Sequence, residues 1–337
     1  MNKKLLIIAI FFIFVLLTLI AIWLFSPAKE SESNIIKNLQ NQDYAERSTI
    51  TKNIHYLAEQ AKHDEYRLSI VLLASAQQGD EKIYRKALLE TEDALNAVNP
   101  LEKNVKHNSY IAWLLGRMLI AADSIEDKTT ITKTLEKLKR LLADNNTKKD
   151  AFTAWGWGYL AALNKEEYSA AKNTLFASAA ALSNSYQQTK RNIPTDTINQ
   201  QDKLTLQTKL SDALWAWVMA AYAAANAQDT ESFYFSLQQM QALTGQTSTA
   251  TALTSGLKRL STSNDYPAWA LSIIHLAAAT IKHKDLYLAL EKPLVDAIQG
   301  AKESMHADNE KAAYNATAEA TLAQLGFELA RKRMLFR

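Results

Sequence analysis

Cysteine is absent from the chain. That rules out disulfides, thiolate nucleophiles, iron–sulfur clusters and cysteine zinc sites together, though not any particular compartment. Glycine and proline are scarce, at 8 and 5 of 337 residues, while alanine is abundant. Alanine is the best helix former and the other two are the worst, so this balance predicts an all-α protein. A β protein of this size would need many more turn residues. The scattered glycines form no G-x-G-x-x-G or Walker A loop, and no G-x-S-x-G elbow occurs.

Histidine is sparse too, with six residues. His55 and His63 are eight apart, as are His275 and His283. On a helix that spacing separates side chains by about 12 Å, whereas chelation wants i,i+3 or i,i+4. They read as core or surface residues, and His63-Asp64-Glu65 reads as a solvated helix cap. No metal, cofactor or catalytic residue is expected from these patterns.

A basic excess is missing as well. Net charge is +3, and Lys3 and Lys4 account for two of the 38 basic residues, leaving 36 against 35 acidic ones. Nucleic-acid binding usually needs a strong basic surplus, so none is expected. The local exception is the end of the chain, with Arg331, Lys332, Arg333 and Arg337. These suit a helix C-terminus; alternatively they touch anionic lipid or an acidic partner.

What the sequence does contain begins with Leu5 to Phe25, uncharged and with Thr18 as its polar member. A helix of that length is roughly 30 Å long, the thickness of a bilayer core. Lys3 and Lys4 precede it, and Lys29, Glu30 and Glu32 follow. The positive-inside rule then puts residues 1–4 in the cytoplasm and the bulk of the chain outside. The expectation is a single-pass anchor at 5–25, a polar linker at 26–34 and an exported helical domain at 35–337. For a bacterium with two membranes this means an inner-membrane protein with a periplasmic domain. The alternative is export with cleavage after Ala28, since Ser26-Pro27-Ala28 has small residues at suitable positions; the hydrophobic run is long for a signal core.

Past the linker, apolar residues recur at helical spacing. Ile50, Ile54, Leu57 and Ala61 form one stripe, and Gln78-Gly79-Asp80 parts helices expected near 64–77 and 80–97. Loops are expected at Thr189–Gln200 and over 244–264, the latter with a short helix near 250–260, and a subdivision is placed near 187–201. Six segments share one plan: an aromatic, Ala-rich helix, a polar turn, then a second amphipathic helix. They start near Tyr66, Tyr110, Ala151, Ala213, Tyr266 and Ala312, at intervals of roughly 40 to 60 residues. The turns Asn164-Lys165-Glu166, Gln228-Asp229-Thr230 and Lys282-His283-Lys284-Asp285 look alike. Residues 154–182, AWGWGYLAALNKEEYSAAKNTLFASAAAL, hold a Trp, a Tyr-Leu-Ala, a turn and a second Ala-rich helix. In this the chain resembles the tetratricopeptide-like helical-hairpin repeats over about 60–330, without that family's closing proline or its shorter period. The resemblance implies an α-solenoid or irregular bundle of hairpins and carries over no site residue.

Trp155 and Trp157 lie about 200° apart around a helix, as do Trp215 and Trp217, so neither pair shares a face. Cover on both sides by neighbouring helices would explain this, with Gly156, Gly158 and Ala216 permitting close approach. The functional reading makes exposed aromatics anchors for a partner. The candidates are Trp113, Trp155, Trp157, Tyr159, Trp215, Trp217, Tyr222 and Trp269.

The leading expectation is a non-enzymatic, membrane-anchored scaffold or adaptor that presents its repeats to another envelope protein, as an accessory of a secretion, pilus or cell-wall machine. One alternative is a cell-wall-cleaving enzyme using a single Glu. Lytic transglycosylases use such a residue, but their Glu-Ser segment with its Gly-Leu-Met-Gln-like continuation is missing, and Glu303-Ser304-Met305 is the nearest echo. Glu166 and Glu167 read better as favourable charge at a helix start. The other alternative is a carrier for a hydrophobic ligand, which needs an apolar cavity of a few hundred Å³.

Overall fold

The computed structural model describes residues 46–62, 64–97, 105–144, 150–193, 198–257 and 266–335. The chain divides into two units, residues 1–50 and 51–337. Residues 46–50 of the first are helical. The expected anchor at Leu5–Phe25 and the linker lie outside the described residues. Among the described residues, no helix is long and apolar enough to cross a membrane.

The second unit is all-α among its described residues. Its helices are α1 (51–61), α2 (Glu65–Gln78), α3 (Glu81–Ala97), α4 (Val105–Ser124), α5 (Lys128–Asp144), α6 (Ala151–Leu163), α7 (Lys165–Asn192), α8 (Gln200–Asn226), α9 (Thr230–Thr244), α10 (Thr249–Gly256), α11 (Pro267–Thr280), α12 (Lys284–Glu303) and α13 (Glu310–Leu335). A short 3-10 turn, Ser304–His306, precedes α13. Helix α7 runs to Asn192, past the loop start expected at Thr189, and α10 supplies the short helix expected near 250–260. The boundary expected near 187–201 covers the end of α7 and the start of α8, which pack against each other.

Each of the six recurrent segments supplies one inner helix: α2, α4, α6, α8, α11 and α13. Each packs on the next in that order, and α13 returns to pack on α2. The all-α hairpin array expected from the sequence is present, and it closes on itself as a ring; the resemblance to tetratricopeptide-like repeats implies an α-solenoid or irregular bundle. Closure is made by residues far apart in sequence. The Arg67 guanidinium lies 4.6 Å from the Tyr314 ring centre, and the Tyr314 hydroxyl donates to the Arg67 carbonyl at 3.2 Å. Helices α3, α5, α7, α9 and α12 form the outer layer, each packed on the inner helix before it.

Four of the five hairpin turns share a local cause, while the fifth passes through an extended Asn164 that caps α7. Gly79, Glu126, Gln228 and Lys282 all take a positive φ. After each, a residue returns its N–H to a carbonyl five positions back: Asp80 to Ser75, Asp127 to Ala122, Asp229 to Ala224 and His283 to Ala278. This left-handed turn closes the inner helix. The same residue then caps the outer helix: Asp80 accepts from Ile83 N–H, Asp127 from Thr130, Asp229 from Ser232 and His283 from Leu286. One residue ends one helix and starts the next, so the turns are short.

These caps also tie neighbouring hairpins. The Tyr84 hydroxyl and Arg85 reach Asp127 at 3.3 and 2.6 Å, while Tyr168 and Lys172 reach Asp229 at 2.8 and 2.7 Å. Burial alone would raise the Asp229 carboxyl, but bonds from Lys172, Ser232 and Tyr168 hold it well below the usual carboxylate range. With the turns of neighbouring hairpins meeting at one end, the inner helices run parallel and their N-terminal halves share the opposite end.

Candidate functional site

At that opposite end the ring forms a half-open cavity of about 340 Å³. Its walls come from five inner helices: Tyr66 on α2; Tyr110, Trp113 and Arg117 on α4; Phe152, Trp155 and Tyr159 on α6; Thr208, Ser211, Asp212, Trp215 and Met219 on α8; and Tyr266 with Trp269 at the start of α11. Helical spacing explains the selection. Tyr110, Trp113 and Arg117 stand at i, i+3 and i+7, as do Phe152, Trp155 and Tyr159, so each set shares one face.

The rings pack as connected clusters. Trp113 stacks on Tyr66 at 5.7 Å and meets Phe152 at 5.3 Å and Trp155 at 5.9 Å. Trp215 and Trp269 lie 5.2 Å apart on the other side. Hydroxyls link the first and last hairpins: Tyr66 donates to the Tyr266 oxygen at 3.0 Å, and Tyr266 donates to Asn315 Oδ1 at 3.2 Å. Burial pushes the Tyr110, Tyr159 and Tyr266 hydroxyls above their usual titration range. They are therefore neutral hydrogen-bonding groups at ordinary pH and unsuited to act as bases.

Close approach of the inner helices shapes the walls. A Cβ on Gly158 would lie 2.5 Å from Met219 Cβ, and one on Gly116 would lie 2.7 Å from Tyr159 Cβ. Glycine at these positions lets α6 sit against both α4 and α8. Gly156, expected in the same role, has a looser nearest neighbour in Leu142 at 3.1 Å.

Of the eight aromatic candidates, Trp113, Trp155, Tyr159, Trp215 and Trp269 meet in this cavity. The other three do not line it. Trp217 is buried on the far side of α8, donates its indole N–H to Ser183 at 2.8 Å and packs edge-on to Phe176 and Phe235. Trp157 is half-buried, with an indole N–H that is buried and has no partner. Tyr222 packs against the cluster of Leu276, Tyr287 and Ala330. Each Trp-x-Trp pair thus has one ring in the cavity and one outside it.

Sequence reasoning missed Arg117, Asp212, Ser211 and Thr208. Part of the signal is in the sequence, since Arg117 stands four residues after Trp113 within an otherwise apolar stretch and Asp212 three before Trp215, but spacing does not say whether such a charge turns outward or into a cavity. The glutamates considered for catalysis lie elsewhere. Glu166 and Glu303 are exposed, and Glu167 pairs with Lys139 at 2.5 Å. A different glutamate, Glu319, is buried and accepts the Ala268 N–H at 2.8 Å. It caps α11, whose N-cap Tyr266 makes no side-chain cap of its own.

Elsewhere, His283 is the cap of α12 and His275 is a core residue. No cluster of potential metal ligands occurs among the described residues. In the basic tail, Arg333 donates to Thr280 Oγ1 at 2.6 Å, and its carbonyl accepts from Lys282. Arg331 and Lys332 are exposed, while Arg337 lies outside the described residues.

The fold and cavity together define the chain as a closed ring of helical hairpins with an aromatic-walled pocket at one end. Compared with protein-family models, curated proteins and solved structures, it matches none.

Proposed function

We propose that this chain is a membrane-tethered binding protein whose ring cavity holds a small organic ligand with an apolar body. The observation that carries this reading is the convergence of four tryptophans from four inner helices on one cavity of about 340 Å³, within the range of small-molecule sites. Aromatic walls bind an apolar body by burying area, and by ring packing where the ligand is planar. The sequence reading of Leu5–Phe25 as an anchor, with the domain exported to the periplasm, belongs to the same proposal. Cleavage after Ala28 would export the same binding domain without its tether.

The test is titration of the full chain with N-phenyl-naphthylamine, a neutral dye that brightens when it leaves water. Binding with energy transfer from tryptophan is expected. Trp155→Ala with Trp215→Ala should weaken it by about tenfold or more, with the melting transition retained. Absence of binding, or unchanged affinity in the variant, would contradict the proposal.

The adaptor reading is supported by a different observation. Tyr234 and Phe235 on α9 and Leu288 and Val295 on α12 are large apolar side chains left exposed on outer helices. A protein partner from the cell envelope would cover such residues, and the ligand-binding reading leaves room for one.

A further inference from the structure

Arg117 is 3% exposed, yet no carboxylate among the described residues lies within ion-pair distance of it. Its Nη1 donates to Ser69 Oγ at 3.0 Å. Its Nε–H is buried and has no partner. Three rings surround the guanidinium: Trp113 at 4.0 Å, Trp269 at 5.2 Å and Tyr66 at 5.3 Å.

A buried cation without a counter-charge is costly. Ring quadrupoles offset part of that cost. They do not satisfy the N–H donors, which lie in the guanidinium plane, and the Nε–H has no partner. In-plane donors fit an oxyanion, which takes two of them side by side. We propose that the ligand of this cavity is an organic acid whose single anionic group docks on Arg117 while its apolar body lies among the tryptophans.

This assignment rests on the cavity being a binding site. Among the residues that line the cavity Arg117 is the cation, and one guanidinium pairs with one anionic group, so a monoanion fits best.

The experiment compares two probes on the full chain. Anilinonaphthalene sulfonate has the body of N-phenyl-naphthylamine plus one anionic group. The wild type should bind the sulfonate at least about tenfold more tightly than the neutral dye. Arg117→Gln should abolish that preference, read as the ratio of the two affinities measured in the same variant. Arg117→Lys, which keeps the charge and loses the fork, should retain part of it. Neutral-dye binding with no preference for the sulfonate in wild type overturns the assignment and leaves the binding reading standing. So does a preference that survives Arg117→Gln. If neither probe binds wild type, the binding reading falls and the assignment with it. The wild-type comparison needs no substitution, so it decides the matter even if the Gln variant fails to fold.

Discussion

His275 illustrates how a residue's surroundings set its chemistry. It is fully buried, neither ring nitrogen has a partner, and it is stacked 4.1 Å from Tyr287 and 5.5 Å from Phe327. Burial pushes its pKa from the usual 6.5 down to about 4. The folded chain therefore keeps this imidazole neutral where the unfolded chain would protonate it. Stability from this site is intact above pH 6.5 and falls as pH drops toward 4, by about 3 kcal/mol in all. Denaturant unfolding at pH 7 and pH 4.5 should show a larger loss in wild type than in His275→Phe; equal losses would contradict the account. Spacing leaves this histidine as a core or surface residue, and the structure makes it a core one. The same spacing logic could not single out Arg117, because a charge in an apolar helix reads alike whether it snorkels outward or turns into a cavity.

Hairpins were legible because they are local. Apolar periodicity and polar turns placed α2 and α3 within a residue or so of their observed bounds, and all six recurrent starts fall in or next to inner helices. Cover on two sides is one of the two readings of the Trp-x-Trp pairs, and an inner helix of a ring has such cover. Less visible were turns such as Glu126-Asp127, where a non-glycine residue takes the left-handed conformation at φ 59°. The close approach of α6 to its neighbours belongs to the same scale. Gly158→Ala gains up to about 1 kcal/mol of helix propensity, but its Cβ would meet a Cβ carbon of α8, not the end of a flexible side chain. Overpacking costs about 1–3 kcal/mol, so a net destabilisation of about 1–2 kcal/mol is expected, with weakened dye binding because Tyr159 and Met219 must shift. A variant at least as stable as wild type, with unchanged affinity, would show that the approach is not constrained.

At the scale of the whole molecule the sequence reading stopped short. Periodicity reports which residues share a helix face and says nothing of whether the last hairpin meets the first. Closure depends on pairs such as Tyr66 with Tyr266, 200 residues apart, and Arg67 with Tyr314, 247 apart. Once the ring closes, five of the eight aromatic candidates gather around one half-open cavity. The ring's cavity as a ligand site is therefore the claim most in need of a direct measurement. That measurement is native mass spectrometry of the full chain, purified from its own cells, before and after denaturation. The account predicts a small organic molecule released on denaturation from wild type and missing from the Trp155→Ala, Trp215→Ala variant. An empty wild-type protein, or the same molecule retained by a folded variant, would contradict it.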